Sequence, residues 1–227
     1  VMQIRKAIDN LTVIETELYR RVDLAHIKEI LMKVSSANIS DAMHRFPALP
    51  GIKPLLSGRK VVGKAVTVRT APGDWAKPVQ AVDSAAADEV VVIDAGGVGP
   101  AVWGELASHS AKERGLAGVV INGALRDLNE IQTLQFPAFS KLVTANAGEP
   151  RGFGEINVMI EIGGVRINPG DWIVGDDDGV MVIPAKDVVE ITNRAMDVLE
   201  RENRLRDEIG RGGTLGKLTE LLRWEKK

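Results

Sequence analysis

Three apolar runs, "KVVGKAVTVRT" (60–70), "EVVVID" (89–94) and "AGVVI" (117–121), constrain this chain more than any other feature. Each is short, rich in β-branched residues and bounded by turn-forming residues, as buried strands are. Between them "KPVQAVDSAAA" (77–87) reads as a helix behind Pro78, and Val102 to Arg114 as a second helix. Strands that alternate with helices in this way pack as a sheet with covering helices, an α/β core. Asn122-Gly123 then reads as a turn, and a short helix opens near Arg126.

The flanks have a different rhythm. Gln3 to Arg20 and Leu24 to Val34 read as helices, and Ser40 is the expected N-cap of a short third one, so 1–50 form a helical arm. After Ala138, "INVMIEIGGVRI" and "DWIVGDDDGVMVI" read as strands broken by turns. A long amphipathic helix is predicted over Lys186–Glu208, with a smaller helix after the "GRGG" break. With no internal repeat and no linker, 1–227 read as a single domain: arm 1–50, core 51–185, C-terminal helices 186–227.

Composition narrows the chemistry. At 227 residues and 44% hydrophobic the chain can bury a sizeable core. A net charge of -2, from 29 basic and 31 acidic residues mixed along the sequence, leaves no basic stripe, so nucleic acid is an unexpected partner. Zero cysteines exclude disulfides, thiol catalysis and zinc-thiolate sites, and they suit a cytoplasmic location. No apolar run is long enough to span a bilayer, and "VMQIRKAIDN" lacks the apolar stretch of a signal peptide.

The glycine turn at Gly96, Gly97 and Gly99 fails the dinucleotide fingerprint, because Val102 stands where its third glycine belongs. It still marks a strand-to-helix junction of the kind that favours an anion. The decisive stretch is "WGELASHSAKERGLAGVVINGALRDLNEI" (103–131), in which Glu105 is followed after twenty residues by Arg126, Asp127 and, three positions on, Glu130. Both predicted helix starts follow consecutive strands, so they open at one edge of a sheet, where ligands bind. Read by spacing alone, Arg126 reaches Glu130 at i,i+4, and one helix face carries two acids and a base.

This pattern, acid-x20-Arg-Asp-x2-acid, resembles the RraA-like family, which includes divalent-metal-dependent 4-hydroxy-4-methyl-2-oxoglutarate aldolases and RraA ribonuclease regulators. "VVGKAVTVRTAPGD", "VVVIDAGG" and "NPGDWIVGDDDGVMVIPA" extend the resemblance over roughly 40–190. It implies a layered β/β/α domain assembling as a homotrimer or homohexamer with sites between subunits. It implies that Asp127 binds Mg²⁺ or Mn²⁺ directly and that Glu105 and Glu130 hold the ion's waters. Arg126 and the backbone N–H groups of Gly104, Glu105, Leu106 and Ala107 are implied to hold the carboxylate and enolate oxygen of a pyruvate unit. Such ions prefer oxygen ligands and keep several waters, which suits a site with few carboxylates. Glu202, from the C-terminal helix of a neighbouring subunit, is the candidate for a further acid. The expected activity is cleavage of a small 4-hydroxy-2-oxo acid, or decarboxylation of oxaloacetate, through pyruvate enolate; the alternative is a non-catalytic regulatory protein.

After "APGD", Trp75, Lys77 and Gln80 stand where many family members carry Asn and His, which places the distal end of the substrate there. Asp176, Asp177 and Asp178 before Gly179 read as a hairpin turn rather than a second metal site. His26, His44 and His109 show no carboxylate partner pattern and read as packing or surface residues. Lys60, Lys64 and Lys141 keep a Schiff-base aldolase open, and Trp103 reads as core.

Overall fold

The computed structural model describes residues 24–219. The helix expected over Gln3–Arg20 lies outside the described residues, as does the end of the C-terminal helical region. The strands are β1 (Lys53–Pro54), β2 (Val61–Thr70), β3 (Val90–Asp94), β4 (Ala101–Trp103), β5 (Gly118–Leu125), β6 (Ala138–Val143), β7 (Gly154–Ile156), β8 (Ile160–Ile162), β9 (Val165–Ile167), β10 (Trp172–Gly175) and β11 (Val180–Ile183). The helices are α1 (Leu24–Lys33), α2 (Ser36–Ala42), α3 (Ala76–Ser84), α4 (Glu105–Glu113), α5 (Leu128–Leu134), α6 (Val188–Gly210) and α7 (Leu215–Leu218).

Nine strands join one sheet along the path β1-β6-β5-β3-β2-β10-β11, with β4 on β5 and β7 on β2. The pairings of β2, β3, β5 and β6 are parallel, as the strand and helix rhythm requires, and β10 and β11 continue the sheet antiparallel. β8 and β9 form a separate two-stranded sheet. Period-two alternation sorts the central side chains into layers. On β3, Val91 and Ile93 join the cluster under α3, α4 and α5, while Val90 and Val92 face the layer containing Ile160, Ile162, Val165 and Ile167 of the small sheet. The domain is therefore a mixed α/β structure in which the central sheet has helices on one face and a second layer of strands on the other.

The arm and C-terminal helix make the third cluster: Ile27, Leu31 and Ile39 pack against Val188, Ile191 and Ala195 and the outer faces of β10 and β11. The apolar face of α6 is thus covered within the chain. Val188, Ile191 and Ala195 are buried, and Val189, Met196 and Leu199 pack against them.

Local departures have local causes. The N-cap of α2 is Ser35, not Ser40: Ser35 and Asn38 form a reciprocal capping box, and Ser40 lies inside the helix. Val102 belongs to β4, and α4 starts only at Glu105. Asn122-Gly123 is no turn but the middle of β5. Gly123 fits there because a Cβ would lie 2.9 Å from that of Ala95, and Asn122 is held by its amide donating to Asp94 Oδ1 at 2.8 Å. The three aspartates do turn a hairpin, with Gly175 paired to Val180. Asp176 accepts from the backbone N–H and hydroxyl of Ser36, and Asp177 from Ser57 and Gly58, so both staple loops.

Lys60 donates to the carbonyl of Val34 just beyond α1. Burial pushes its pKa down to about 8, against the opposing pull of Asp176. Between pH 8 and 10.5 the native state releases this proton while the unfolded chain keeps it, so the residue's contribution to stability rises with pH across that window. The melting temperature of the wild type minus that of Lys60→Met is expected to rise from pH 8 to pH 10. A difference that stays flat with pH would show an ordinary lysine.

Candidate functional site

The spacing between Glu105 and Arg126 is the length of one helix and one strand. The chain leaves β4 at Trp103, runs through α4, and returns along β5, which pairs in parallel with β4. Trp103 lies opposite Leu125, and Arg126 N–H donates to Trp103 O at 3.0 Å, so Gly104-Glu105 and Arg126-Asp127 emerge side by side.

Asp127 is the N-cap of α5, in the left-handed region at φ 62° and ψ 45°. Aspartate tolerates this conformation better than most residues. Its side chain turns to the neighbouring helix instead of its own: Oδ2 accepts the Glu105 N–H at 3.0 Å and lies 3.7 Å from Arg126 Nε. Gly104 makes this approach possible, since a Cβ there would stand 2.6 Å from Asp127 Oδ2. Ser108 N–H closes the first turn of α4 on Gly104 O, which leaves the N–H groups of Leu106 and Ala107 without an intrahelical partner. Of the N–H groups expected to hold a substrate anion, that of Glu105 is spent on Asp127.

Arg126 and Asp127 precede α5, so the expected i,i+4 contact from Arg126 to Glu130 is replaced by the Arg126–Asp127 pair. Glu130 sits in the first turn of α5, exposed. The Glu105 carboxylate runs back along α4 to His109, with Oε1 at 3.5 Å from Nδ1, and His109 Nε2 lies 3.8 Å from Glu113. His109 therefore does have carboxylate partners, and the i,i+4 spacing of Glu105, His109 and Glu113 was the signal. Among the described residues no group of three or more acids or histidines gathers closely enough to cage a metal. Glu202 pairs with Arg206 at 2.7 Å on α6 and does not line the cleft.

A cleft of about 330 Å³ opens over this junction. Gly104, Leu106, Ala107, Arg126 and Asp127 line it together with Trp75, Val79 and the 147–149 loop. Trp103 is both core and cleft floor, 3% exposed, its indole N–H donating to Ser108 Oγ at 2.8 Å. Of the residues placed at the distal end, Trp75 lines the cleft; Lys77 and Gln80 do not, and bond to each other at 3.1 Å. No lysine lines the cleft among the described residues, which leaves no Schiff-base candidate there.

Sequence reasoning passed over Asp74, which precedes the cleft residue Trp75 in the chain and ties its segment to the 151–153 backbone. It is 3% exposed, and its carboxylate accepts N–H groups of Ala76 and Arg151 at 3.1 Å and of Phe153 at 2.7 Å. Burial alone would raise its pKa, but the N–H groups of Ala76, Phe153, Gly152 and Arg151 outweigh it and hold the carboxyl below its usual range. Its stabilising effect is therefore present above the ordinary aspartate pKa and lost as pH falls through the depressed one. Asp74→Ala would strand three backbone donors, each worth about 1.5–3 kcal/mol when bonded to a charge, so a loss of about 3 kcal/mol or more is expected by denaturant titration. A loss below about 1 kcal/mol would mean that water takes over the role.

The RraA-like family model, described as Aldolase/RraA, matches residues 36–182. The chain is 40% identical over 199 residues to an uncharacterized protein of Methanocaldococcus jannaschii, covering 86% of this chain and 94% of that one. It is 41% identical over 177 residues to a Halalkalibacterium halodurans protein named "Putative 4-hydroxy-4-methyl-2-oxoglutarate aldolase", covering 75% and 84%. Among solved structures it is similar to a Streptomyces coelicolor protein described as an unusual member of the RNase ES inhibitor RraA protein family, with TM-score 0.74, 28% identity, and 83% and 100% coverage. By the match over its core and by the layered fold, this chain belongs to the RraA-like family.

Proposed function

We propose that this protein is a divalent-metal-dependent lyase that cleaves a small 4-hydroxy-2-oxo acid, or decarboxylates oxaloacetate, through a pyruvate enolate. The observation that carries this reading is the meeting, in one cleft, of a guanidinium, a carboxylate and two unbonded helix N–H groups. The donor set suits a hydrated hard cation rather than a caged one: Asp127 and Glu149 are the carboxylates among the described residues lining the cleft, and only one oxygen of Asp127 is taken by a backbone N–H. Asp127 would hold Mg²⁺ or Mn²⁺, with Glu105 and Glu130 reaching it only through water. When bound, such an ion supplies positive charge that stabilises oxygen anions.

The chain's own residues do the rest. Arg126, always charged and planar, binds the carboxylate and the developing enolate oxygen of the pyruvate unit. The N–H groups of Leu106 and Ala107, at the positive end of α4, add to the same charge. Asp127 holds the α4 start beside Arg126, and Trp103 closes the floor against water.

The test is pyruvate release from oxaloacetate and from a 4-hydroxy-2-oxo acid with Mg²⁺ or Mn²⁺, then with chelator. Release that disappears with chelator supports the lyase; no release from either substrate in the presence of metal rules it out. A second reading, a non-catalytic binding protein, is favoured by the similarity to a chain described within an RNase inhibitor family. It gains if metal and substrate leave the protein unchanged.

We also propose assembly as a trimer or a hexamer. With α6 covered inside the chain, exposed apolar side chains remain elsewhere on the surface, among them Leu106 at 80%, Phe153 at 62% and Val143 at 53%. Light scattering at micromolar concentration is expected to give three or six times the chain mass. A monomer that keeps full activity would remove any role for Glu202 of a neighbouring subunit.

A further inference from the structure

We infer that the groove between α2 and α6 is a second binding site, which takes a small phosphate monoester bearing hydroxyl groups. The groove measures about 540 Å³, within the size range of small-molecule sites, and shares no lining residue with the cleft. Two elements build it. Arg194, Asp197 and Arg201 recur at i, i+3 and i+7 on one face of α6, while Asp41, His44 and Arg45 come from the end of α2 and the turn after it. His44 and Arg45 hold consecutive left-handed backbones, at φ 57° and 64°, which non-glycine residues adopt at a cost. Ile39 and Ala42 share a buried cluster with Ile191 and Ala195, which fixes α2 against α6 and keeps the groove in shape.

Charge gives the ligand class. Arg194 is held by Glu190 at 2.5 Å through Nη2, and its Nη1 lies 3.4 Å from His44 Nε2. Arg45 and Arg201 make no ion pair and no side-chain hydrogen bond among the described residues, so two exposed guanidiniums from different elements stand uncommitted in one groove. Each planar fork matches a pair of phosphate oxygens, and two forks in one groove suit a dianion. Asp41 adds a second requirement. Its carboxylate has no side-chain partner among the described residues, can only accept, and repels a bare phosphate. A ligand hydroxyl beside it supplies the missing donor and separates the two negative charges. Phosphate and hydroxyl on one molecule therefore answer both signs of charge that this chain places in the groove.

Calorimetric titration of the full chain at fixed ionic strength tests this with three probes: ribose 5-phosphate, inorganic phosphate and ribose. Ribose 5-phosphate is expected to bind at least about tenfold more tightly than inorganic phosphate, because a site that bonds a hydroxyl rejects a ligand lacking it, and ribose is expected to give no measurable heat. Arg45→Gln and Arg201→Gln are each expected to weaken ribose 5-phosphate by about tenfold or more, the loss of a charge-assisted bond. Both side chains are exposed, and melting curves that match the wild type verify that the fold is kept. Asp41→Ala is expected to narrow the ratio between the two phosphates, and pyruvate with Mg²⁺ to leave the titration unchanged, since the cleft is elsewhere. Absence of binding by either phosphate, equal binding of the two, binding that survives both arginine substitutions, or displacement by pyruvate with Mg²⁺ overturns the inference. None of these outcomes bears on the enolate reading, which is tested by turnover.

Discussion

Asp127→Asn is expected to lower metal-dependent turnover by at least about a hundredfold while the melting temperature stays close to that of the wild type. Asparagine is the informative replacement. It tolerates the left-handed conformation at φ 62°, and its carbonyl oxygen can still accept the Glu105 N–H, so the α4 and α5 starts stay in place. What disappears is one negative charge at the cleft. Asp127→Ala removes the charge and the acceptor of the Glu105 N–H together and puts a residue in a backbone region it disfavours, adding about 1–3 kcal/mol of destabilisation. Turnover and thermal melts of both variants, each measured with and without metal, separate the roles. Near-full activity in Asp127→Asn would show that the aspartate only fastens α4 and that the ion binds elsewhere.

Arg126→Ala and Arg126→Lys are expected to slow oxaloacetate decarboxylation and aldol cleavage in parallel, by on the order of a hundredfold or more, because a lost oxyanion partner costs about 3–4 kcal/mol. Both reactions pass through the same enolate, and Arg126 is the one cation facing the cleft among the described residues. Lysine does not rescue, since a point charge cannot replace the two-pronged contact of a guanidinium. The side chain is 46% exposed and its partner in the chain is Asp127 at 3.7 Å, so its loss should leave the core untouched. Rates for the two reactions, measured on the same preparations, decide the matter. A variant that loses only one of them would show that Arg126 recognises a substrate and does not stabilise a shared intermediate.

Much of this architecture was legible as pattern. The β2, β3 and β5 runs are β-branched and apolar because both of their faces are buried, and a run of that kind announces itself without a structure. The acid, the Arg-Asp pair and their twenty-residue spacing could be read as two chain segments meeting at one sheet edge, because a helix and a returning strand consume that length. Local rules failed where pairing outweighed them. Asn122-Gly123 has the composition of a turn, yet β3 pairs β5 as far as Asn122 and β4 and β6 carry it on to Leu125, since ladder bonds and burial against Ala95 exceed a turn propensity. That extension carries Arg126 and Asp127 past the sheet and stops them short of the helix on which spacing had put them.

The sequence by itself determined the α/β core, the hairpin at Asp176–Gly179 and the meeting of Gly104, Leu106 and Ala107 with Arg126 and Asp127, since each depends on periodicity, on spacing or on residue type along a short stretch. Only the tertiary structure decided that Asp127 turns across to α4, that Asp74 gathers the 151–153 backbone, and that Trp75 reaches the cleft while Lys77 and Gln80 do not. Those outcomes depend on close approaches between residues up to 79 positions apart, such as Asp74 and Phe153, and no local propensity encodes which backbone donors a folded chain will leave beside a carboxylate.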